Sequence, residues 1–415
     1  MKFVTLDEKE YLKFALKNEF ISIYQLPGWG KLKKENGWDY YFVGVENNGK
    51  LCGATLLLRK KAVLNLYIFY SPRGFLIDYS DNELLKFFNE NVIKFVKEHK
   101  GLMLKIDPNV IYNVLDKDGN LLEEVDHEAY SNLLELGYKH LGFTKNFETM
   151  QPRYLCRYDI LSSYEDTLNS FTKSTRKNII KADEEGLVTR PIEEDEYDLF
   201  YSLLKKSADN KHFILRPSWY YKKMYDYLKD YLTYFITYLD VSKYRTYLNN
   251  NLKELNSKKK EIDDKMSKYA NVGSKLNNEL DTVLKRIENV KKEIEEAKDI
   301  KEDKIYLGAL MSVFTGEEGI TFMSGTDILY RKYNIKYSFY NEHLKECIKR
   351  KLKYVNYYGI SGDLNPDSEF YNIYEIKKGY NPKILELIGE FDYVVNKLKY
   401  IEYNVALKVY KLLKK

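Results

Sequence analysis

Asp107 and Lys377 are the two residues whose types and positions most suggest chemistry. Asp107 ends a predicted strand, 101–106, where a carboxylate can face a cleft and orient an incoming amine. Alternatively, Asp107 caps a helix that begins at Pro108, because Asp is a preferred N-cap and Pro a preferred first helical residue. Lys377 lies on a predicted short strand, where its ammonium group can stabilise a developing negative charge.

Two glycines follow the predicted strand Tyr354–Tyr358, in the sequence Gly359-Ile360-Ser361-Gly362. Because glycine has no side chain, the backbone at Gly359 and Gly362 can approach a ligand closely. We therefore predict that both glycines contribute to a substrate-binding site.

Basic residues are concentrated at Trp29–Lys34, at Ser174–Lys181 and at Arg216. A guanidinium group donates two parallel hydrogen bonds to phosphate oxygens, so Arg216 suits a phosphate ligand. Stacking of Arg216 on the ring of Trp219 or Tyr220 explains its position equally well. Most basic runs are solvated surface, but the runs Trp29–Lys34 and Ser174–Lys181 together would fit around a phosphate-bearing ligand.

An uninterrupted helical pattern from 242 to 300 separates two globular segments. Apolar residues recur every three or four positions from Leu248 to Tyr269 and again from Leu276 to Ala297, as in a coiled-coil seam that only Lys259 interrupts. Gly273 lies between the two series and can end a helix. We predict an antiparallel helical hairpin with helices roughly 35 Å long. A long dimerising coiled coil is the alternative.

Strands are predicted on both sides of this arm, at Tyr234–Val241 and Ile305–Phe314, so the arm occupies the place of a turn. An earlier pair, Tyr41–Glu46 and Lys50–Leu58, is joined by an ordinary Asn-Asn-Gly turn. The chain therefore uses one supersecondary unit twice. Strands and helices alternate elsewhere, which indicates an α+β or mixed α/β fold.

The length of 415 residues favours two domains in addition to the arm. We predict a first domain at 1–149, with 389–415 packed on it. The second domain is predicted at 150–241 and 301–388, and the arm at 242–300.

Composition limits the classes of function. The net charge of +5 permits a polyanionic partner without requiring one. Three widely spaced cysteines without a Cys-x-x-Cys motif indicate reduced thiols and a cytoplasmic location. The five histidines lack zinc-site spacing, so no metal site is expected. The sequence shows no apolar signal core and no long apolar run, and we expect neither export nor a membrane span.

A set of short motifs, in order along nearly the whole chain, resembles the Fem family of bacterial peptidyltransferases. Enzymes of this family add amino acids from aminoacyl-tRNA to the peptidoglycan precursor and so build interpeptide bridges. The helical hairpin favours the branch that resembles FemA and FemB over the FemX type, which we expect to lack it. The motifs are Trp29-x-x-x-Lys33, Ser71-Pro72-Arg73-Gly74, Lys105-Ile106-Asp107-Pro108, Gln151-Pro152-Arg153, Arg216-x-x-x-Tyr220, Asn356-Tyr357-Tyr358-Gly359-Ile360-Ser361-Gly362 and Lys377-Lys378-Gly379-Tyr380.

The resemblance implies two domains related to the GNAT acyltransferase fold. It also implies that Lys33 and Arg216 hold phosphates of the acceptor, with Tyr220 beside them. Asp107 and Lys377 match positions at the reacting centre. The chain departs from the family before this lysine, where Phe is common and Ile stands at 376. The usual acetyl-CoA pyrophosphate loop is not found, so we expect neither acetyl-CoA nor another cofactor.

From this resemblance we expect an aminoacyltransferase whose donor is aminoacyl-tRNA and whose acceptor is lipid II or a soluble UDP-MurNAc-peptide. An acceptor amine would attack the ester, with Lys377 stabilising the oxyanion and Asp107 holding the amine or accepting its proton. Contact with the inner face of the membrane, a Fem-type protein partner, a homodimer, and tRNA or protein contact by the arm all stay open. The alternative functions are N-acyl transfer to another amine and a non-catalytic coiled-coil adaptor.

Overall fold

Two mixed β-sheets organise the chain, which is described by a computed structural model over residues 1–62, 65–125, 127–211, 214–268, 274–403 and 405. The strands in this part of the chain are β1 (Lys2–Thr5), β2 (Asp39–Asn47), β3 (Lys50–Lys61), β4 (Tyr67–Ser71), β5 (Gly101–Ile106), β6 (Ile111–Leu115), β7 (Leu121–Glu124), β8 (Lys139–His140), β9 (Tyr154–Asp159), β10 (Leu187–Pro191), β11 (Leu232–Asp240), β12 (Lys304–Thr315), β13 (Glu318–Thr326), β14 (Tyr354–Ile360), β15 (Lys383–Leu387) and β16 (Phe391–Val394). The α-helices are α1 (Glu8–Ala15), α2 (Pro27–Lys34), α3 (Asn82–Glu98), α4 (Glu128–Glu135), α5 (Tyr164–Ser170), α6 (Lys173–Glu184), α7 (Tyr197–Lys211), α8 (Ser218–Leu228), α9 (Val241–Ser267), α10 (Ser274–Lys298), α11 (Ile335–Lys349) and α12 (Tyr371–Lys378).

The first sheet has the strand order β1-β2-β3-β4-β5-β16-β8. Strands β2 and β3 form the predicted hairpin, and its turn residues Asn48 and Gly49 both have positive φ, as a tight hairpin turn requires. Strand β4 then pairs with β3 in antiparallel and with β5 in parallel orientation. The C-terminal strand β16 returns to this sheet and pairs with β5.

The second sheet has the strand order β10-β11-β12-β13-β14-β9-β15-β6-β7. It repeats the arrangement of the first sheet, because an antiparallel pair, β11 and β12, leads to β13, which pairs with β14 in parallel. The fold is therefore α+β with two units that share one strand arrangement, as the repeated strand pair predicted. However, β6 and β7 belong to the second sheet, so a first domain drawn as 1–149 mixes strands of both sheets.

The arm is an antiparallel pair of helices, α9 and α10, of 27 and 25 residues, which corresponds to about 40 and 37 Å. Its seam is closed within the chain, since Leu248, Leu255, Ile287 and Val290 are all buried in one apolar cluster. This confirms the hairpin over a dimerising coiled coil. The predicted turn falls largely on residues 269–273, which lie outside the described residues.

The sequence also predicts one helix near 164–186 and another, with one apolar face, at 396–414. The single helix predicted near 164–186 is two helices, α5 and α6, because the backbone of Phe171 is extended between them. Of the helix predicted at 396–414, residues 397–403 and 405 are helical, and residues 404 and 406–415 lie outside the described part of the chain.

Candidate active site

Asp107 lies at the end of β5, where it is only 2% exposed. Its carboxylate accepts a hydrogen bond from the backbone N–H of Arg73, at 2.8 Å, and another from the hydroxyl of Tyr70, at 3.0 Å. No helix follows, because residues 107–110 have no regular secondary structure. The capping alternative is therefore wrong, and Asp107 instead ties β5 to the end of β4.

Burial controls the protonation of this carboxyl group. Loss of hydration raises the pKa of Asp107 to about 6, because a buried anion is less stable than a solvated one. The positive charge of Arg73 and its backbone hydrogen bond act in the opposite direction. Asp107 is therefore mostly ionised at neutral pH and close enough to its pKa to exchange a proton readily.

A chain of polar side chains continues from Asp107 into the second unit. Arg73 donates from Nη2 to the carbonyl oxygen of Pro152, at 2.6 Å. The hydroxyls of Tyr24 and Tyr358 lie 2.7 Å apart, and the Tyr358 hydroxyl also donates to Oε1 of Gln151. We call Tyr24, Tyr70, Arg73, Asp107, Gln151 and Tyr358 the polar cluster.

Two residues of the polar cluster have unusual backbone conformations. Arg73 has φ of 53° and Tyr358 has φ of 61°, in the left-handed region that non-glycine residues rarely adopt. Hydrogen bonds hold both residues: the Arg73 N–H donates to Asp107, and the Tyr358 N–H donates to Oδ1 of Asn356 at 2.8 Å. Strain of this kind is concentrated at functional sites.

The structure brings Lys33, Arg216 and Tyr220 together at the packing contact of α2 with α8. The Lys33 ammonium lies 4.7 Å from the centre of the Trp29 ring, and the Arg216 guanidinium lies 5.8 Å from the centre of the Tyr220 ring. Burial, followed by the nearby charges of Arg216 and Lys60, lowers the pKa of Lys33 to about 8. Lys33 and Arg216 make no ion pair with a carboxylate in the described part of the chain, so two positive charges lie close together there without a counter-charge.

Lys377 lies on a helix, α12, and not on the strand that the sequence predicted. Its side chain is buried in the core of the second unit, and Nζ donates to the carbonyl oxygen of Gly359 at 2.8 Å. Burial lowers the pKa of Lys377 to about 8, helped by the charge of Lys336 and opposed by Cys156.

The two glycines of β14 and its exit are packed tightly by the chain itself. A Cβ atom at Gly359 would lie 2.4 Å from the ring of Pro152, and one at Gly362 would lie 2.3 Å from the ring of Tyr154. Both glycines therefore permit close approach of another part of the protein. Their predicted role in binding a substrate stays a prediction.

Asp107 and Lys377 approach β14 from different sides. Lys377 shares the apolar core of the second unit with Cys156, whereas the polar cluster faces the first sheet. The register between β14 and β9 shifts between Asn356 and Gly359, and Tyr358 lies within this irregularity. The two predicted catalytic residues thus flank one distorted segment of a strand without touching each other.

Most of the polar cluster cannot be predicted from residue types and spacing. Arg73, Gln151 and Tyr358 lie in segments that match family motifs, but their residue types alone do not indicate a chemical role. Tyr24 and Tyr70 lie outside those motifs. One feature of the sequence could have indicated Arg73 and Tyr358: each is a bulky polar residue that directly precedes a glycine, in the segments 71–74 and 356–362.

Comparison with known proteins gives one family and one fold. A model of the FemAB family matches residues 6–408. Aminoacyltransferase FemA of Staphylococcus epidermidis is 29% identical over 99% of this chain and 100% of its own length, and FemA of Staphylococcus aureus is 28% identical over 99% of each chain. A crystal structure of FemX superposes with a TM-score of 0.77 at 24% identity, covering 96% of this chain and 99% of its own.

The FemX comparison corrects one expectation. The match to FemX covers 96% of this chain, so it extends across the arm at 242–300. The helical hairpin therefore does not separate a branch that resembles FemA and FemB from FemX.

Proposed function

Because this chain belongs to the FemAB family, we propose that it transfers an aminoacyl group from aminoacyl-tRNA to an amine of a peptidoglycan precursor, which forms an interpeptide bridge. Relatives along its whole length are named aminoacyltransferases. The observation that supports this function best is Asp107, a buried and ionisable carboxyl group held by the strained backbone of Arg73. The same molecule also has two cations without a carboxylate partner, Lys33 and Arg216.

The reaction needs placement more than activation. Aminoacyl-tRNA is an ester, so the acceptor amine attacks its carbonyl carbon, a C–N bond forms, and the C–O bond to the ribose breaks. The amine loses one proton and the ribose oxygen gains one. Holding two substrates in reacting geometry can contribute roughly 7 to 11 kcal/mol to lowering such a barrier.

Asp107 is the group that handles the amine. Its carboxylate is fixed by Arg73 and Tyr70, so it can orient an ammonium group without first reorganising. Its pKa of about 6 lets it remain ionised at neutral pH and accept a proton as the amine attacks.

Lys33, Arg216 and Tyr220 bind the phosphates of the acceptor. The positive charge of Arg216 is close enough to help lower the pKa of Lys33, and a phosphate group beside both cations would offset this repulsion. The Tyr220 ring supports the Arg216 guanidinium from one side. Lipid-linked and UDP-linked precursors both offer such phosphates, so this site suits either acceptor.

Lys377 stabilises the oxyanion and the leaving ribose oxygen. Its ammonium group lies at Gly359, the residue after Tyr358, so the irregular segment of β14 is where the donor ester and the acceptor amine meet. Gly359 and Gly362 keep the backbone of this segment close to its neighbours and shape the substrate site.

Other partners follow from the acceptor and the arm. A lipid-linked acceptor would bring the protein to the inner face of the membrane. None of the helices in the described residues is both long and apolar enough to cross a bilayer. The arm would contact tRNA, or else a Fem-type partner or a second copy of this chain.

The function is tested by supplying both substrates. The protein is incubated with a mixed pool of aminoacyl-tRNA and with lipid II or UDP-MurNAc-pentapeptide in separate reactions. We expect one acceptor to gain the mass of a single amino-acid residue, and treatment of the tRNA with ribonuclease to prevent the gain. If neither acceptor changes mass, the proposed function is wrong.

A further inference from the structure

A cavity of about 660 Å³ lies between the two units. One wall is formed by residues 16–21 and 109–110, which adjoin the first sheet, and the other by strands of the second sheet, including the first residue of β6. Its volume is within the range of sites that hold small ligands. Lys33 and Arg216 do not line it, so it is separate from the proposed phosphate site.

Three polar residues lie side by side on the wall that the second sheet provides. Glu318 begins β13, Asn356 lies on the neighbouring β14, and Arg157 pairs with Asn356 from β9. All three line the cavity. Nδ2 of Asn356 donates to Oε2 of Glu318 at 3.1 Å, which fixes the carboxylate toward the middle strand.

Arg157 is incompletely satisfied. Its guanidinium stacks on the ring of Tyr354 at 4.1 Å, and its Nε is buried without a hydrogen-bond partner in the described part of the chain. The described residues also supply no ion pair to Arg157. No hydrogen bond joins the Arg157 guanidinium to another described residue, so its donors favour a ligand in the cavity that supplies an acceptor.

Arg157 and Glu318 influence each other electrostatically but do not form an ion pair within the described residues. Lys17, Glu19 and Glu317 also line the cavity, so side chains of both charges surround the space, and such a lining fits a ligand that has both charges. We propose that this cavity binds a peptide with a free α-carboxylate, to which Arg157 donates hydrogen bonds, while Glu318 accepts from an amine of the same peptide.

This inference rests on the proposed function and identifies the ligand as the acceptor peptide. The donor cannot supply the carboxylate, because the carboxyl group of an aminoacyl-tRNA is esterified. The cavity also lies beside the reacting centre: Asn109 is two residues from Asp107, and Asn356 holds the backbone of Tyr358. A peptide bound at Arg157 would therefore place its amine near the polar cluster.

Direct binding tests the carboxylate contact. D-alanyl-D-alanine and its C-terminal amide are titrated into the full-length protein, and the dissociation constants are measured by nuclear magnetic resonance. We expect the free carboxylate to bind at least tenfold more tightly than the amide, and Arg157→Met to remove this preference. Equal binding of the two peptides, or no binding of either at 50 mM, would overturn the proposal.

Arg350→Met is the matched control. Arg350 also stacks on an aromatic ring, that of Phe314, at 4.1 Å, but it does not line the cavity. We expect this variant to keep the preference for the carboxylate. If both arginine variants lose it equally, Arg157 acts only through packing and the proposal fails.

A second measurement tests Glu318. We expect Glu318→Gln to weaken binding of D-alanyl-D-alanine severalfold and to leave binding of N-acetyl-D-alanyl-D-alanine unchanged, because acetylation removes the positive charge. Equal effects on both peptides would remove Glu318 from the site. Amino-acid transfer is measured in parallel. If the wild-type protein transfers an amino acid but binds both peptides equally, this inference alone is overturned. If it transfers none, the result counts against the proposed function.

Discussion

Asp107 shows how a single carboxylate obtains its properties from residues distant in the sequence. Arg73 is 34 positions away and Tyr70 is 37 positions away, yet these two residues donate the hydrogen bonds that fix it. Burial then raises its pKa to about 6. The residue type and the strand end were predictable from the sequence, but this environment was not, because folding alone brings the three residues together.

Asp107→Asn tests the proton-accepting role. We expect kcat to fall by at least about 100-fold, which is typical for loss of a general base. In the wild type the rate should rise as pH increases through about 6, because burial raises the pKa of Asp107 to that value and the ionised form accepts the proton. The pH profile of transfer is measured from pH 5 to 8.

Asp78→Asn serves as the control, since Asp78 is an exposed carboxylate of the same unit that bonds to Ser80. It should keep both the rate and the profile. An Asp107→Asn variant that retains the wild-type profile would show that another group titrates.

Lys33→Met tests whether the cation site is retained at a cost to stability. Burial and nearby positive charges lower the pKa of Lys33 to about 8, so its charged form is disfavoured in the folded protein at pH 7. We expect the variant to raise the free energy of unfolding by about 1 to 3 kcal/mol at pH 7. Urea denaturation at pH 7 and 9.5 measures this effect.

The sign follows from proton linkage. Above pH 8 the folded wild type releases the proton of Lys33 while the unfolded chain retains it, so wild-type stability rises and the advantage of Lys33→Met shrinks. The KM for the phosphate-bearing acceptor should increase in the same variant. Lys34→Met, at the exposed neighbouring residue, should change neither quantity.

Helices were predicted best where the apolar repeat extended over many residues, and strands were predicted best where the sequence marked both of their ends clearly. Strand β5 has the predicted limits, and the arm has the predicted seam. Helix α12 was predicted as a strand because eight residues give little periodicity, and its position depends on packing against α6. There Gly379 has room for no side chain, since a Cβ would lie 2.1 Å from Oγ1 of Thr175.

The arm offers a test at the scale of a single element. Ile287 is 7% exposed in the seam, whereas Leu284 on the same helix is 40% exposed. We expect Ile287→Ala to lower the local stability of the hairpin by about 2 to 4 kcal/mol, and Leu284→Ala by less than half as much. Hydrogen exchange of amides in α9 and α10 measures both. Equal losses would mean that the seam is not the main source of stability.

At the scale of the molecule, the arm joins β11 to β12 near the β10 edge of the second sheet and is a candidate contact for tRNA. Replacing residues 246–296 with a short glycine-serine linker removes most of it and keeps the ends of β11 and β12. We expect the full chain to bind aminoacyl-tRNA with a steep dependence on salt, which weakens in the shortened chain as phosphate contacts are lost. Filter binding from 50 to 300 mM salt measures the slopes.

The contrary result is also informative. An unchanged slope, together with loss of self-association or of binding to a Fem-type partner, would assign the arm to protein contacts. The sequence could not decide this, because acidic residues are interspersed with the lysines along both helices.

The path of the backbone between the two sheets has a consequence for motion. The chain passes from one sheet to the other after β5, after β7, after β8 and after β15, and the first and last of these links are only a few residues long. Four covalent connections, two of them short, restrict how far the two sheets can move apart. A hinge motion between the two sheets would have to bend these short links, so we expect the sheets to keep a nearly fixed position relative to each other.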